Sequence, residues 1–215
     1  MKADTIIFDL DGTILDTLED LKNSVNYALS NNNLPKRSFA EVRSFVGNGI
    51  RLLVERAVPT GTDSAVLDNC FADFKAHYKE NSANNTKPYD GVIELLKQLK
   101  SKGYKLAVVS NKADFAVQML VEDYFNGIFD YAVGEREGIR RKPCPDSVND
   151  AIFYLASDKN SAVYVGDSEV DVETARNSGI PCVAVTWGFR DKSVLTSLSP
   201  EYIIDKPSQL MDILD

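Results

Sequence analysis

The chain has 215 residues, 44% of them hydrophobic, and a formal net charge of −8. That apolar share supports a packed core and excludes a disordered chain, and the length suits one core of ordinary size carrying an insertion. A field of this sign repels nucleic acid and anionic membrane, so neither is expected as a partner; it would also repel an anionic substrate unless local cations reverse it.

In chain order, Met1-Lys2-Ala3-Asp4 leads straight into an apolar run with no apolar leader before it. No run approaches the roughly 20 residues of a membrane span. Three cysteines, Cys70, Cys144 and Cys182, are an odd number in no tight pattern and point to free thiols in a reducing compartment. A soluble cytoplasmic protein, monomer or homodimer, is expected. The single histidine, His77, excludes a histidine-pair zinc site and reads as part of a helix face.

Thr5-Ile6-Ile7-Phe8 reads as a short buried strand that delivers Asp9 to its C-terminal end, with Asp11 and Gly12 following. Two carboxylates one residue apart are costly if both stay charged and unpaired, and a cation between them would remove that cost. On these residues alone, a strand entering an Asp-Gly turn reads the same way. Helical patterns then predict elements over 17–31, 39–46, 50–58 and 63–80, with Ser38 and Glu41 forming a capping box before the second. The polar stretch 81–88 reads as a return linker.

From Asp90 the pattern becomes strand–helix alternation, which predicts a parallel α/β sheet. Strands are expected at 105–109, 129–133, 162–165, 182–186 and 202–204. Helices are expected at 91–102, 113–122, 146–156, 170–177 and 208–214. The organisation is therefore an α/β core, residues 1–15 and 87–215, split by an all-helical insert, residues 16–86. An insert beginning just after Asp9 and Asp11 is a natural lid.

Four groups of polar residues fall at strand ends or before a helix: Asp9 with Asp11, Ser110-Asn111, Lys142-Pro143, and Gly166-Asp167 with Asp171. Singly each is weak, since an Asp after a strand is often a helix N-cap. Together, at ends that face one way in a parallel sheet, they mark a site. The set Asp9-Leu10-Asp11-Gly12-Thr13, Val108-Val109-Ser110, Lys142-Pro143 and Gly166-Asp167 with Asp171 resembles the four motifs of the haloacid dehalogenase superfamily, in its phosphatase branch. The likeness covers essentially the whole chain. It implies a Rossmann-like parallel sheet with the first strand central and a helical cap inserted between the first two motifs.

The resemblance also implies roles. Asp9 would be the nucleophile, giving an aspartyl-phosphate, and Asp11 the acid and then the base. Asp9, the Asp11 backbone carbonyl and Asp167 would form an all-oxygen site for Mg²⁺. Ser110 and the Asn111 backbone N–H would hold phosphate oxygens, helped by the following helix N-terminus. Lys142 would balance the charge of Asp9 and the phosphate, and Asp171 would orient Lys142 or a metal-bound water. Phe45-Val46-Gly47-Asn48-Gly49, Pro88-Tyr89-Asp90-Gly91-Val92 and Val185-Thr186-Trp187-Gly188-Phe189 resemble segments of the phosphoglycolate phosphatase group, although Gly47 and Gly49 can equally serve a tight turn and Trp187 can equally pack on the core. The expected substrate is a small phosphorylated metabolite such as 2-phosphoglycolate, its carboxylate met either by backbone N–H groups of the Gly47–Gly49 loop or by a cation, Arg51, Lys112 or Arg190. Inorganic pyrophosphatase and phosphosugar mutase activity are the alternatives within the fold, and a receiver-like phospho-Asp binding module is the non-enzymatic one.

Overall fold

The computed structural model describes residues 3–214. Its strands are β1 (Thr5–Phe8), β2 (Leu15–Asp16), β3 (Lys87–Pro88), β4 (Lys105–Ala113), β5 (Tyr131–Glu135), β6 (Ala162–Gly166), β7 (Cys182–Val185) and β8 (Tyr202–Ile204). Its α-helices are α1 (Leu18–Asn31), α2 (Phe39–Phe45), α3 (Ile50–Ala57), α4 (Ser64–Asn81), α5 (Val92–Ser101), α6 (Asp114–Phe125), α7 (Asp146–Tyr154), α8 (Glu169–Ser178), α9 (Lys192–Ser197) and α10 (Gln209–Leu214). The chain divides into two compact units, one built from the segment up to Leu15 and from Pro88 onward, the other from Asp16–Lys87.

The first unit is a six-stranded sheet in the order β5-β4-β1-β6-β7-β8, and the strands pair in parallel. Strand alternation explains why it is buried on both faces. Ile6 and Phe8 of β1, Leu106 and Val108 of β4 and Val163 and Val165 of β6 enter one apolar cluster. Ile7, Ala107, Val109 and Tyr164 enter the other. The strand order reverses at β1: the chain runs outward through β4 and β5 on one side, then returns to build β6, β7 and β8 on the other. Ligand crevices in open α/β sheets form at such a switch point, outside the carboxyl ends of the strands. Here that switch point lies between β1 and β6.

Two differences from the sequence pattern matter for the site. Strand β4 does not stop where its apolar run stops. It continues through Ser110, Asn111 and Lys112 to Ala113, with a register shift against β5 between Val109 and Ala113. Strand β5 begins at Tyr131, two residues later than the pattern suggests, because Phe129 is used for packing instead: its ring meets Phe8 at 6.2 Å and Phe125 at 5.6 Å, both edge-on. The short strands β2 and β3 and the six-residue helix α9 carry no periodicity long enough to read.

The second unit is four helices. Ser38 caps α2 through a capping box, its backbone N–H donating to Glu41 Oε2 at 2.8 Å. Asp20, buried in the first turn of α1, accepts from the Asn85 and Thr86 backbone N–H groups and the Thr86 hydroxyl, each at 2.9 Å, which ties the start of the unit to its end. His77 of α4 lies at 2.9 Å from Ser24 Oγ and stacks on Tyr27, a helix-face role.

Candidate active site

Asp9 follows β1 directly. Its backbone N–H donates to the Val165 carbonyl of β6 at 2.9 Å, so the β1–β6 ladder runs up to the carboxylate. The chain must then turn at once, and Gly12 does so with φ +87°, a conformation side-chain-bearing residues avoid. A Cβ at Gly12 would also collide with the Asp167 carboxyl group. Gly188 is equally constrained, since a Cβ there would strike the Gly12 carbonyl and Asp167. Both glycines therefore admit Asp167 to the end of β1. Asp167 itself is fixed by the Phe189 N–H at 2.6 Å and by the Thr13 hydroxyl at 3.3 Å, while Trp187 Nε1 holds the Thr13 carbonyl at 3.0 Å.

Lys142 stands at the centre. Its ammonium donates to Asp9 Oδ1, Asp171 Oδ1 and the Tyr164 hydroxyl, each at 2.8 Å. The Lys142 main chain is pinned by Asn111 in a reciprocal pair: Lys142 N–H donates to Asn111 Oδ1 at 2.8 Å, and Asn111 Nδ2 donates to the Lys142 carbonyl at 3.0 Å. Asp171 closes the set from the first turn of α8, its second oxygen accepting from the Ser168 hydroxyl at 2.6 Å and the Ser168 N–H at 3.1 Å. Ser110 is buried beside Asn111, its hydroxyl accepting from the Lys112 N–H at 3.3 Å.

Asp9, Asp167 and Asp171 each bring a carboxylate oxygen within 4.8 Å of the others, and all three are buried. Asp11 is not in this group. Its two oxygens take the Lys112 ammonium at 2.9 and 3.2 Å. At the other flank Glu169 is held by Arg190 through a two-pronged pair at 2.7 and 2.9 Å. The flanking carboxylates thus carry their own cations, whereas of the three central carboxylates Asp9 and Asp171 share the Lys142 ammonium and Asp167 has no ion pair with it. The electrostatics follow: burial, offset by Lys142 and aggravated by Asp171, pushes Asp9 up to about 7. Burial and then the neighbouring Asp171 and Asp9 raise Asp167 well above the usual carboxylate range. Burial alone would lower Lys142, but Asp171 and Asp9 outweigh it and hold the ammonium charged.

Of the residues singled out in the sequence, Asp9, Ser110, Asn111, Lys142, Asp167 and Asp171 converge, with Asp11 at their edge on Lys112. Asn111 uses its side chain to hold the Lys142 main chain, and α6 begins only at Asp114. The three candidate cations for a substrate carboxylate are all engaged: Arg51 of α3 with Glu55 and Asp68, Lys112 with Asp11, Arg190 with Glu169. Arg140 pairs with Asp146, away from this chemistry. Sequence reasoning missed Tyr164, whose signal is a lone phenol in an otherwise aliphatic buried strand: a buried hydroxyl there has to find a partner.

Residues 6–185 match the sequence profile of the haloacid dehalogenase-like hydrolases. A phosphoglycolate phosphatase of Mesorhizobium japonicum is 36% identical over 198 residues, covering 90% of this chain and 87% of that protein. One from Aquifex aeolicus is 31% identical over 211 residues, covering 98% and 96%. A crystal structure from Lactobacillus delbrueckii subsp. bulgaricus, described as a candidate phosphoglycolate phosphatase, superposes with a TM-score of 0.94 at 36% identity, over 100% of this chain and 99% of that one. Among the described residues, no helix is long and apolar enough to cross a membrane. The fold, the converging strand-end carboxylates and these likenesses agree: the chain belongs to the haloacid dehalogenase-like hydrolases, in their phosphatase branch.

Proposed function

We propose that this phosphatase hydrolyses 2-phosphoglycolate, or a comparably small phosphate monoester, with Asp9 as nucleophile and Mg²⁺ as cofactor. The observation that carries the reading is the charge deficit at the end of β1, where three buried carboxylates cluster and Lys142 pairs with two of them, Asp9 and Asp171. A divalent cation closes that deficit, and an all-oxygen donor set is the kind Mg²⁺ takes. Asp9 and Asp167 would hold the ion with the Asp11 carbonyl; Asp171, whose oxygens already serve Lys142 and Ser168, would orient from behind. When bound, the ion neutralises charge that would otherwise keep a carboxylate from approaching a phosphate.

The protein's own groups divide the remaining work. Asp9 forms an O–P bond as the ester O–P bond breaks, and Asp11 gives a proton to the departing oxygen. Asp11 then takes a proton from water as the water oxygen bonds to phosphorus and Asp9 is released. Lys142 stabilises the charge that builds on the phosphoryl oxygens, and Ser110 supplies a hydroxyl to one of them. The names of the relatives support 2-phosphoglycolate as the ester.

The test is a panel of phosphate esters and pyrophosphate with Mg²⁺, ranked by kcat/KM. The expected result places 2-phosphoglycolate first. A pyrophosphate preference, or turnover that requires a sugar bisphosphate, would refute the substrate; full activity in EDTA would refute the metal.

A further inference from the structure

The ammonium of Lys142 has three protons and, in this structure, three acceptors. Two are the carboxylates Asp9 and Asp171; the third is a neutral phenol, Tyr164 Oη, at the same 2.8 Å. The phenol has one proton of its own. The Val109 carbonyl lies 2.9 Å from Oη and Asp171 Oδ1 lies 3.4 Å away, so the proton goes to Val109 and a lone pair faces Lys142. Tyr164 is fully buried, and its ring shares the apolar cluster of Ile7, Val109 and Val172. The hydroxyl therefore sits at a fixed height in the sheet and ties together three places that matter: β6 just before Asp167, β4 just before Ser110, and the loop carrying Lys142.

We infer that Tyr164 is a positioning residue of the phosphoryl-transfer site, holding the Lys142 ammonium against the nucleophilic oxygen of Asp9 while fixing the Val109 carbonyl that precedes Ser110. The inference rests on the proposed role of Asp9 and Lys142. The physical reason is that two carboxylates alone compete for the ammonium. Asp171 is the more deeply buried of the two, and nothing in that pair prevents the ammonium from turning toward it. A third acceptor, rooted in a strand, removes that freedom. Charge stabilisation depends on donors already standing where charge develops, so loosening this lysine costs rate more than binding.

The experiment is Tyr164→Phe, which keeps the ring and deletes the hydroxyl. With 2-phosphoglycolate and Mg²⁺, kcat should fall about tenfold to a hundredfold, KM should stay within about twofold, and Tm should fall by no more than about 4 °C. A role in core packing alone predicts a lower Tm with kcat unchanged, and that result would overturn the inference. Nitrogen-15 spectra of the wild-type chain give a second readout that needs no variant at Tyr164. A fixed, buried ammonium should show a slowly exchanging lysine resonance that Lys142→Arg removes; its absence would also count against the inference. Near wild-type turnover by Lys142→Met would defeat the parent reading itself, whereas normal kcat in Y164F beside a crippled K142M would defeat only the role of Tyr164.

Discussion

Lys142→Met is the substitution that most directly tests the electrostatic account. Methionine keeps much of the length and apolar body of lysine, so the volume is nearly filled and the charge is what disappears. Asp9 and Asp171 then lose a cation that stands 2.8 Å from each. Removing one partner from a buried, hydrogen-bonded set leaves uncompensated charge and costs about 3–5 kcal/mol. For a chain of this size each kcal/mol moves Tm by about 2–4 °C, so the expected drop is roughly 6–20 °C. The pH dependence has a definite sign. Asp9 already lies near 7, against an ordinary value of 3.8, because burial outweighs the pull of Lys142, and without Lys142 it sits higher still. A carboxyl raised on folding binds more protons folded than unfolded between its two pKa values, so stability falls as pH rises through that window. K142M should therefore be closest to wild type toward the acid end and furthest from it in mildly alkaline buffer. Thermal unfolding in EDTA across this range is the assay, with a second series in Mg²⁺, which should stabilise K142M by more than it stabilises wild type because no fixed ammonium competes for the carboxylates. A Tm within about 2 °C of wild type at every pH would refute the claim that Lys142 neutralises buried charge.

Further outcomes follow from the same geometry. Asp9→Asn should abolish multiple turnover and leave no phosphorylated protein after acid quench, because the nucleophilic oxygen is gone while the shape is kept; labelled protein trapped from this variant would place the covalent bond elsewhere. Lys112→Met should lower kcat most for alkyl esters and least for p-nitrophenyl phosphate, since it frees the Asp11 carboxylate that Lys112 holds at 2.9 Å and a good leaving group needs little help from an acid; equal losses on both esters would argue that Lys112 meets the substrate instead. Gly12→Ala should cost at least about 1–2 kcal/mol from its positive φ and should cost activity as well, because the new methyl group displaces Asp167; a stable, fully active variant would show that the turn has room that the geometry denies.

Much of the core was legible because apolar runs and chemistry change together. Ile6-Ile7-Phe8 ends at Asp9 and Val163-Tyr164-Val165 ends at Asp167, so period and polarity mark the same boundary. The helical insert was legible from its capping box and its 3.6-residue stripes. The strand order was not; it entered with the family resemblance, because parallel pairing leaves no trace in local pattern. The pairing of Lys112 with Asp11 joins residues 101 apart, and that of Lys142 with Tyr164 residues 22 apart, and no periodicity reports such contacts. The continuation of β4 through Ser110, Asn111 and Lys112 was hidden for the opposite reason: polar residues stand where a buried strand is expected to be apolar, and the register shift against β5 that accompanies them is a tertiary event.

The distribution of charge around the sheet end argues for what the centre is kept for. The protein has two further cations at the flanks of this centre, Arg190 and Lys112. Arg190 is close enough to lower Asp167, and Lys112 sits one residue from Asn111, which clasps Lys142. Each is bonded to a flanking carboxylate, Arg190 to Glu169 and Lys112 to Asp11. A fold selected for stability alone would have neutralised the centre with one of them, or replaced a carboxylate by an amide, since unmatched buried charge is among the costliest features a core can hold. Keeping Asp9, Asp167 and Asp171 together, with Lys142 bonded to Asp9 and Asp171 and Arg190 acting on Asp167 from beside its own partner Glu169, leaves a deficit of the size one divalent cation repairs. With that repair made, a phosphate dianion approaching Asp9 meets a centre without net charge, in a chain whose overall field would otherwise turn it away.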